Sequence, residues 1–370
     1  MAELTPAKSP TLSRNWKLAI AAALLLGALL RLLNPADMEW KGDEHSMFDS
    51  FLGVGKTEPW PWLGMPSGVL IRNPGMSVWV FLALGNLFHV TDPPGLAQAV
   101  MWLNTGALAL LGFFALKLAR PDEREPWLWA TCLAAVNPLL VLYQRKIWAQ
   151  STLALFSMLF IVSWTRRDRW SGAFFWGLIG ACLGQIHMSG FFFAFGFMLW
   201  SLLPALGPGK VRWGAWFSGS LLGALPLLPW LQHLLTVRTG QPMLFGWREA
   251  IQLKFWVFWI TDPLGLHLGN TLGVQNGNGI WAQIRDFLPY PLLPGNFPTY
   301  LVAAAHLTIL GCGAFILGRG LLRIRHRESN PSETRALIGG ALLAYGLCLT
   351  LSTVVVHRYY LLVTFPLEGL

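Results

Sequence analysis

The feature that most restricts this chain is a succession of apolar runs, each close to the length that crosses a bilayer. A transmembrane helix takes about 20 mostly apolar residues. By that measure runs fall near 17–33, 96–116, 127–143, 147–164, 170–186, 189–206, 213–234, 299–318 and 336–356, and a tenth begins near 359. Only 12% of the 370 residues are charged, about half the share found in soluble domains. The expected fold is therefore all-α and polytopic, a single membrane domain over 1–370 with about ten transmembrane helices. No internal repeat at a fixed period is visible.

The net charge of +9 raises nucleic acid as a partner. Its bases, however, are spread over short inter-helix loops, which is the pattern of membrane orientation. No nucleic acid is expected, and membrane lipids are. Lys8, Arg14 and Lys17 precede the first run, and no A-x-A cleavage site follows Leu33, so the segment reads as a retained first helix. Cys132, Cys182, Cys312 and Cys348 lie inside apolar runs and read as packed thiols. Their spacing with histidine fits no zinc site.

Met76–Val90 decides the orientation of every later loop. It is apolar but short, follows Pro74-Gly75 and is interrupted by Asn86 and His89. If it lies flat, one face collects Lys8, Arg14, Lys17, Lys117, Arg120, Arg124, Arg166, Arg167, Arg169, Lys210, Arg212, Arg319, Arg323, Arg325, Arg327 and Arg335. The opposite short loops then hold only Arg145, Lys146 and Arg358. The positive-inside rule favours this flat arrangement. It gives two long outer loops, about 34–95 and 235–298. Asp43, Glu44, Arg72, Arg145, Lys146, His187 and Arg358 come to the non-cytoplasmic side, joined by Lys254 and His267. The aromatic run Phe255–Ile260 is too short to span and is expected at the interface, before a flexible Gly/Asn-rich stretch, Asn270 to Gly279.

Ionisable groups at a membrane edge are costly to desolvate and so mark candidate sites. Glu39-Trp40-Lys41-Gly42-Asp43-Glu44-His45 sets two carboxylates and an imidazole just past the first run. Asp43 is the expected general base, with Glu44 orienting it or binding a cation; the bland alternative is a solvated turn beginning at Gly42. Arg72, before Pro74-Gly75, heads the short apolar segment, where a guanidinium and free N–H groups can hold phosphate. Arg145 and Lys146 run against the orientation rule, and an anionic partner would explain them. Arg358, followed by Tyr359, is a further phosphate candidate, while His45, His187, Gln150 and Tyr359 are candidates for substrate contact. His89, His233, His306 and His326 read as structural.

An N-in first helix, an outer loop with Asp43-Glu44 and a short helix headed by a basic residue and proline resemble the GT-C membrane glycosyltransferases of the protein O-mannosyltransferase (glycosyltransferase 39) type. Asn137-Pro138 through Arg145, and Arg358-Tyr359 with Pro366, extend the resemblance over most of the chain. It implies a GT-C-like bundle and an inverting transfer of a sugar from a polyprenyl-phosphate donor to a hydroxyl acceptor on a glycan, lipid or protein. It also implies Asp43 as catalytic acid/base supported by Glu44, with Arg72, Arg145, Lys146 and Arg358 at the donor phosphate. Where relatives often carry a second acid five positions after the arginine, this chain has Gln150, which leaves a divalent-cation cofactor open. Where they have His-Pro-Pro or Lys-Pro, it has Asn73-Pro74. Relatives are commonly longer, so a truncated or divergent member is expected, in a bacterial inner membrane with its site on the periplasmic or extracellular face. The alternatives are a transporter or flippase of lipid-linked saccharides, and a scaffold without chemistry.

Overall fold

The computed structural model describes residues 14–66, 71–203, 210–236, 253–263, 332–352 and 356–370, with residue 354 and short pieces between 289 and 315. Lys8, His267, Cys312, Arg319, Arg323, Arg325, Arg327, the Asn270–Gly279 stretch and much of the expected 299–318 run lie outside them. The described chain is mostly helical. Three of its helices are long and apolar enough to cross a membrane: Arg14–Leu32, Pro93–Leu118 and Glu333–Leu351.

In chain order the helices are α1 (Arg14–Leu32), α2 (Gly42–Gly53), α3 (Met76–Leu87), α4 (Pro93–Phe113, ending in π turns to Leu118), α5 (Arg124–Val136), α6 (Pro138–Tyr143) and α7 (Leu153–Trp164). α8 (Trp170–Ile186), α9 (Ser189–Ser201), α10 (Trp213–Ala224) and α11 (Leu228–Thr236) follow, then the aromatic helix Lys254–Thr261 and the final helix. Before α3, the antiparallel pair β1 (Leu63–Pro66) and β2 (Arg72–Pro74) closes a hairpin. α3 has 12 residues, about 18 Å at 1.5 Å per residue, too short for a bilayer core. It is not amphipathic, however; Val78, Phe81, Leu82 and Leu84 are all buried.

The run at 127–143 is broken at Pro138, and the break shows how polar groups knit the bundle. Proline has no N–H to offer the carbonyl four residues back, so Ala134 loses its helical partner. The Leu139 and Leu140 N–H groups turn to the Asn137 side chain instead. Arg31, fully buried in α1, donates to the carbonyls of Ala134 and Ala135 at 2.9 and 2.8 Å and to Gln144 Oε1 at 2.7 Å. A cation on one helix thereby satisfies the gap in another. α8 and α10 meet by a different device, because lipid gives helices little hydrophobic reason to associate. A Cβ at Gly177 or Gly219 would overlap the carbonyl oxygen of Trp216 or Phe174 on the facing helix, so backbones touch there.

The expected tenth helix is corrected. Arg358–Thr364 and Leu367–Gly369 form 3-10 turns, with Tyr360 through Leu367 buried in the main core. The run at 213–234 is likewise interrupted by a 3-10 turn at Leu225–Leu227, where Pro226 sits. The aromatic run is a helix, with Phe255 completely buried against Tyr345 while Val257 and Ile260 on its other face are exposed.

Candidate functional site

α2 begins at Gly42, so the two acidic residues stand in a helical first turn and not in a loop. There a carboxylate is favoured by the positive end of the helix dipole. Glu44 Oε2 accepts the Lys41 N–H at 3.1 Å, while Oε1 is buried with no hydrogen-bond partner. Burial, with the Glu39 carboxylate adding to it, raises the Glu44 carboxyl above its usual range. Successive helix residues point about 100° apart. Asp43 therefore faces the other way, exposed, into a cavity of about 410 Å³. The anticipated pair is split, and Glu44 is corrected from an active-site group to a buried capping residue.

The cavity collects residues from distant parts of the chain. Asn73 comes from β2, Ser77 from α3, Trp148 and Gln150 from the turn before α7, His187 from the α8–α9 junction, and His357, Tyr359 and Tyr360 from the last segment. Asn104, buried in α4, pins that turn by donating to the carbonyls of Gln144 and Ser151. The aromatic wall is continuous: Tyr359 meets Trp148 at 6.1 Å and His187 at 5.7 Å, and stacks on His357 at 5.2 Å. The Asp43 carboxylate lies near enough to act electrostatically on the Tyr359 hydroxyl.

His187 has a defined protonation state. Its Nδ1 accepts the Ser189 N–H at 3.3 Å and lies 2.7 Å from Ser189 Oγ. A backbone N–H can only donate, so the ring proton resides on Nε2. Burial pushes the imidazole down to about 4, leaving it neutral at physiological pH. Burial, with the Lys254 ammonium, also lowers His357. The cavity thus offers one carboxylate, neutral hydrogen-bond donors and aromatic faces.

The expected phosphate-binding cations do not converge on it. Arg145 donates to the carbonyls of Leu30, Arg31, Leu33, Asn34 and Asp37, at 2.8–3.0 Å. Leu30 and Arg31 belong to the last turn of α1, whose carbonyls lack helical partners, and Leu33, Asn34 and Asp37 to the chain that leaves it. Arg145 is therefore corrected to a clamp on the end of α1 and the turn after it. Lys146 is corrected to an internal cation: it pairs with Glu39 and lies 4.2 Å over the Trp148 ring. Arg358 pairs with Asp262 at 3.5 Å beside a separate cavity of about 30 Å³. Burial lowers Arg358 and pushes Asp262 up to about 7, so desolvation outweighs their attraction. Arg72 sits in β2 rather than at a helix head; its Nε donates to the Gly64 carbonyl at 2.9 Å and its guanidinium is exposed. His45, exposed, pairs with Asp49 at 2.9 Å and does not line the cavity.

Gln150, His187 and Tyr359 are brought together with Asp43 as substrate-contact candidates. Asn73, noted in the sequence only as a departure from the family pattern, also lines the wall, as do Ser77, Trp148, His357 and Tyr360, which were not offered as site residues. His357 and Tyr360 flank residues that were, and ring-rich clusters around a lone arginine were the available signal. Among the described residues no group of three or more His, Cys, Asp or Glu side chains could hold a metal ion. With a single carboxylate among the described residues that line the cavity, that donor set does not fit a divalent cation. No family model, curated protein or solved structure matches this chain.

Proposed function

We propose that the chain is an inverting membrane glycosyltransferase, passing a sugar from a polyprenyl-phosphate donor to a hydroxyl acceptor. In this reading it is a GT-C-like, multi-span bundle in a bacterial inner membrane. The cavity end, poor in loop bases, then faces away from the cytosol. One observation carries the reading: among the described residues a single carboxylate, Asp43, opens into a cavity walled by aromatic rings and neutral donors. Retaining glycoside hydrolases use two carboxyl groups about 5 Å apart. With Glu44 turned away, one base is left, which suits a single displacement.

Asp43 removes the proton from the acceptor hydroxyl, whose oxygen attacks the anomeric carbon while the bond to the donor phosphate oxygen breaks. Polyprenyl phosphate leaves with the bonding pair, and the configuration inverts. His187 Nε2–H and the Gln150 amide donate to oxygens that gain charge as the bond breaks. No cation among the described residues lines the cavity; Arg72, next in sequence to Asn73 of its wall and with an exposed guanidinium, is the one left to reach a phosphate at its mouth. Trp148, Tyr359 and His357 present faces on which a sugar ring can lie.

A transporter of lipid-linked saccharides is favoured by one feature, the helix broken at Asn137-Pro138, since transporters build sites from interrupted helices. Here Asn137 caps α6 and donates to the carbonyls of Asp262 and Pro263. It lines the small cavity rather than the large one. Purified protein given a radiolabelled polyprenyl-phosphate sugar and a mixed acceptor fraction should release labelled product and free polyprenyl phosphate. Movement of intact donor across vesicles without transfer would replace the enzyme reading by transport.

A further inference from the structure

A second cavity, of about 390 Å³, lies between the end of α2, the turn at residues 54–60 and the end of α3. It is almost the size of the first and takes no part in the proposed transfer. From Asp43 to Leu52 along α2 is about 14 Å. Its floor is apolar, with Phe51, Leu52 and Leu82. Its rim is not: Lys56, Trp60 and His89 surround it. Lys56 is exposed and makes no ion pair among the described residues. The acid nearest in sequence to His89, Asp92, is committed to capping α4, accepting the Gly95 N–H at 2.7 Å.

His89 stands in an unusual place. α3 ends in a Schellman turn: the Val90 N–H donates to the Gly85 carbonyl at 2.9 Å and the His89 N–H to Asn86 at 3.4 Å. The residue between them takes a left-handed backbone, which is normally given to glycine. Here it is His89 with φ 52. An imidazole kept at a glycine position, on the rim of a cavity, is an outlier that points to use of the ring. Just before His89 in the chain, Leu87 and Phe88 are 71% and 45% exposed, apolar side chains suited to the edge of a bilayer.

We propose that this groove binds the headgroup of an anionic phospholipid, its phosphate between Lys56 and His89 and the start of its acyl chain over the apolar floor. The Lys56 ammonium, the His89 ring donor and the apolar floor complement such an amphiphile, and indole rings favour the headgroup level. The Glu58 carboxylate of the same turn is exposed but outside the lining. The site is independent of the sugar-transfer reading.

The test uses the full chain in detergent, titrated with phosphatidylglycerol or phosphatidylcholine and followed by native mass spectrometry and thermal unfolding. Wild type should retain phosphatidylglycerol in preference to phosphatidylcholine. Lys56→Glu, an exposed change, should weaken that retention at least fivefold. His89→Gly should weaken it as well while raising Tm, because glycine suits the left-handed backbone. A merely structural histidine would not give that opposed pair of results. Equal retention of both lipids by wild type, or wild-type retention by both variants, would overturn the site. Stabilisation by inorganic phosphate alone equal to that by phosphatidylglycerol would overturn the lipid assignment.

Discussion

His187 is inserted between two helices with its ring against Tyr359 and Tyr360, and that position ties stability to pH. Its pKa falls from 6.5 to about 4 on burial. The unfolded chain therefore binds a proton that the folded chain refuses, and stability is lost as pH falls from about 6.5 through about 4. At 1.36 kcal/mol per unit the loss is about 3 kcal/mol. Asp262 works in the opposite sense. Its value rises from 3.8 to about 7, so its contribution is lost as pH climbs through that window. Burial also raises Glu368, from 4.5 to about 7, and it acts in the same sense as Asp262. The comparison is therefore made in an Asp262→Asn, Glu368→Gln background, by thermal unfolding between pH 7 and pH 4. There His187→Gln should flatten most of the acid-side decline; an unchanged decline would mean the imidazole is not held neutral. At this scale the sequence was a fair guide to which residues gather, since Asp43, Gln150, His187 and Tyr359 share one cavity. It was a poor guide to what each side chain does. The reason is geometric: Asp43 and Glu44 are neighbours in sequence but sit on different faces of a helix turn that no apolar period announces.

Helix ends explain most of what the cations do. Arg145 and Lys146 stood out because few bases fall in the short loops expected on that face, an anomaly of the sequence. Its cause is internal, for α1 stops at Leu32 and its last carbonyls need donors. Arg145 reaches across more than a hundred residues of sequence to supply five bonds. Net contributions near 1 kcal/mol per hydrogen bond, discounted for partial exposure, predict that Arg145→Ala costs about 2–4 kcal/mol. Chemical denaturation would read that loss, and donor affinity should barely change. A variant of normal stability with weakened donor binding would return Arg145 to the phosphate. The other interrupted elements follow from Pro138 and Pro226, visible in sequence as residues. Their repair by Arg31 and Asn137 was not visible, because it depends on contacts between helices far apart in the chain. α2 escaped notice for a related reason: it is a short, mostly polar helix started by a buried Glu44 cap, without the apolar run that marks its neighbours.

For the whole molecule, apolar periodicity located α1, α4, α8 and the final helix within a few residues and marked the long first loop as the place to look. What it could not give was the convergence. A hairpin, an α2 turn, a helix junction and a buried 3-10 segment meet around one cavity, and only the assembled bundle brings them there. The proposed chemistry rests on that convergence leaving one carboxylate to act as base. The direct test measures sugar transfer by purified Asp43→Asn and Glu44→Gln side by side, with unfolding curves to check both folds. Loss of a general base costs about 10²–10⁴ in rate, so Asp43→Asn should fall at least a hundredfold with its Tm unchanged, while Glu44→Gln keeps transfer within severalfold. Transfer by Asp43→Asn at the wild-type rate, or an equal collapse in both variants, would contradict a single base at Asp43.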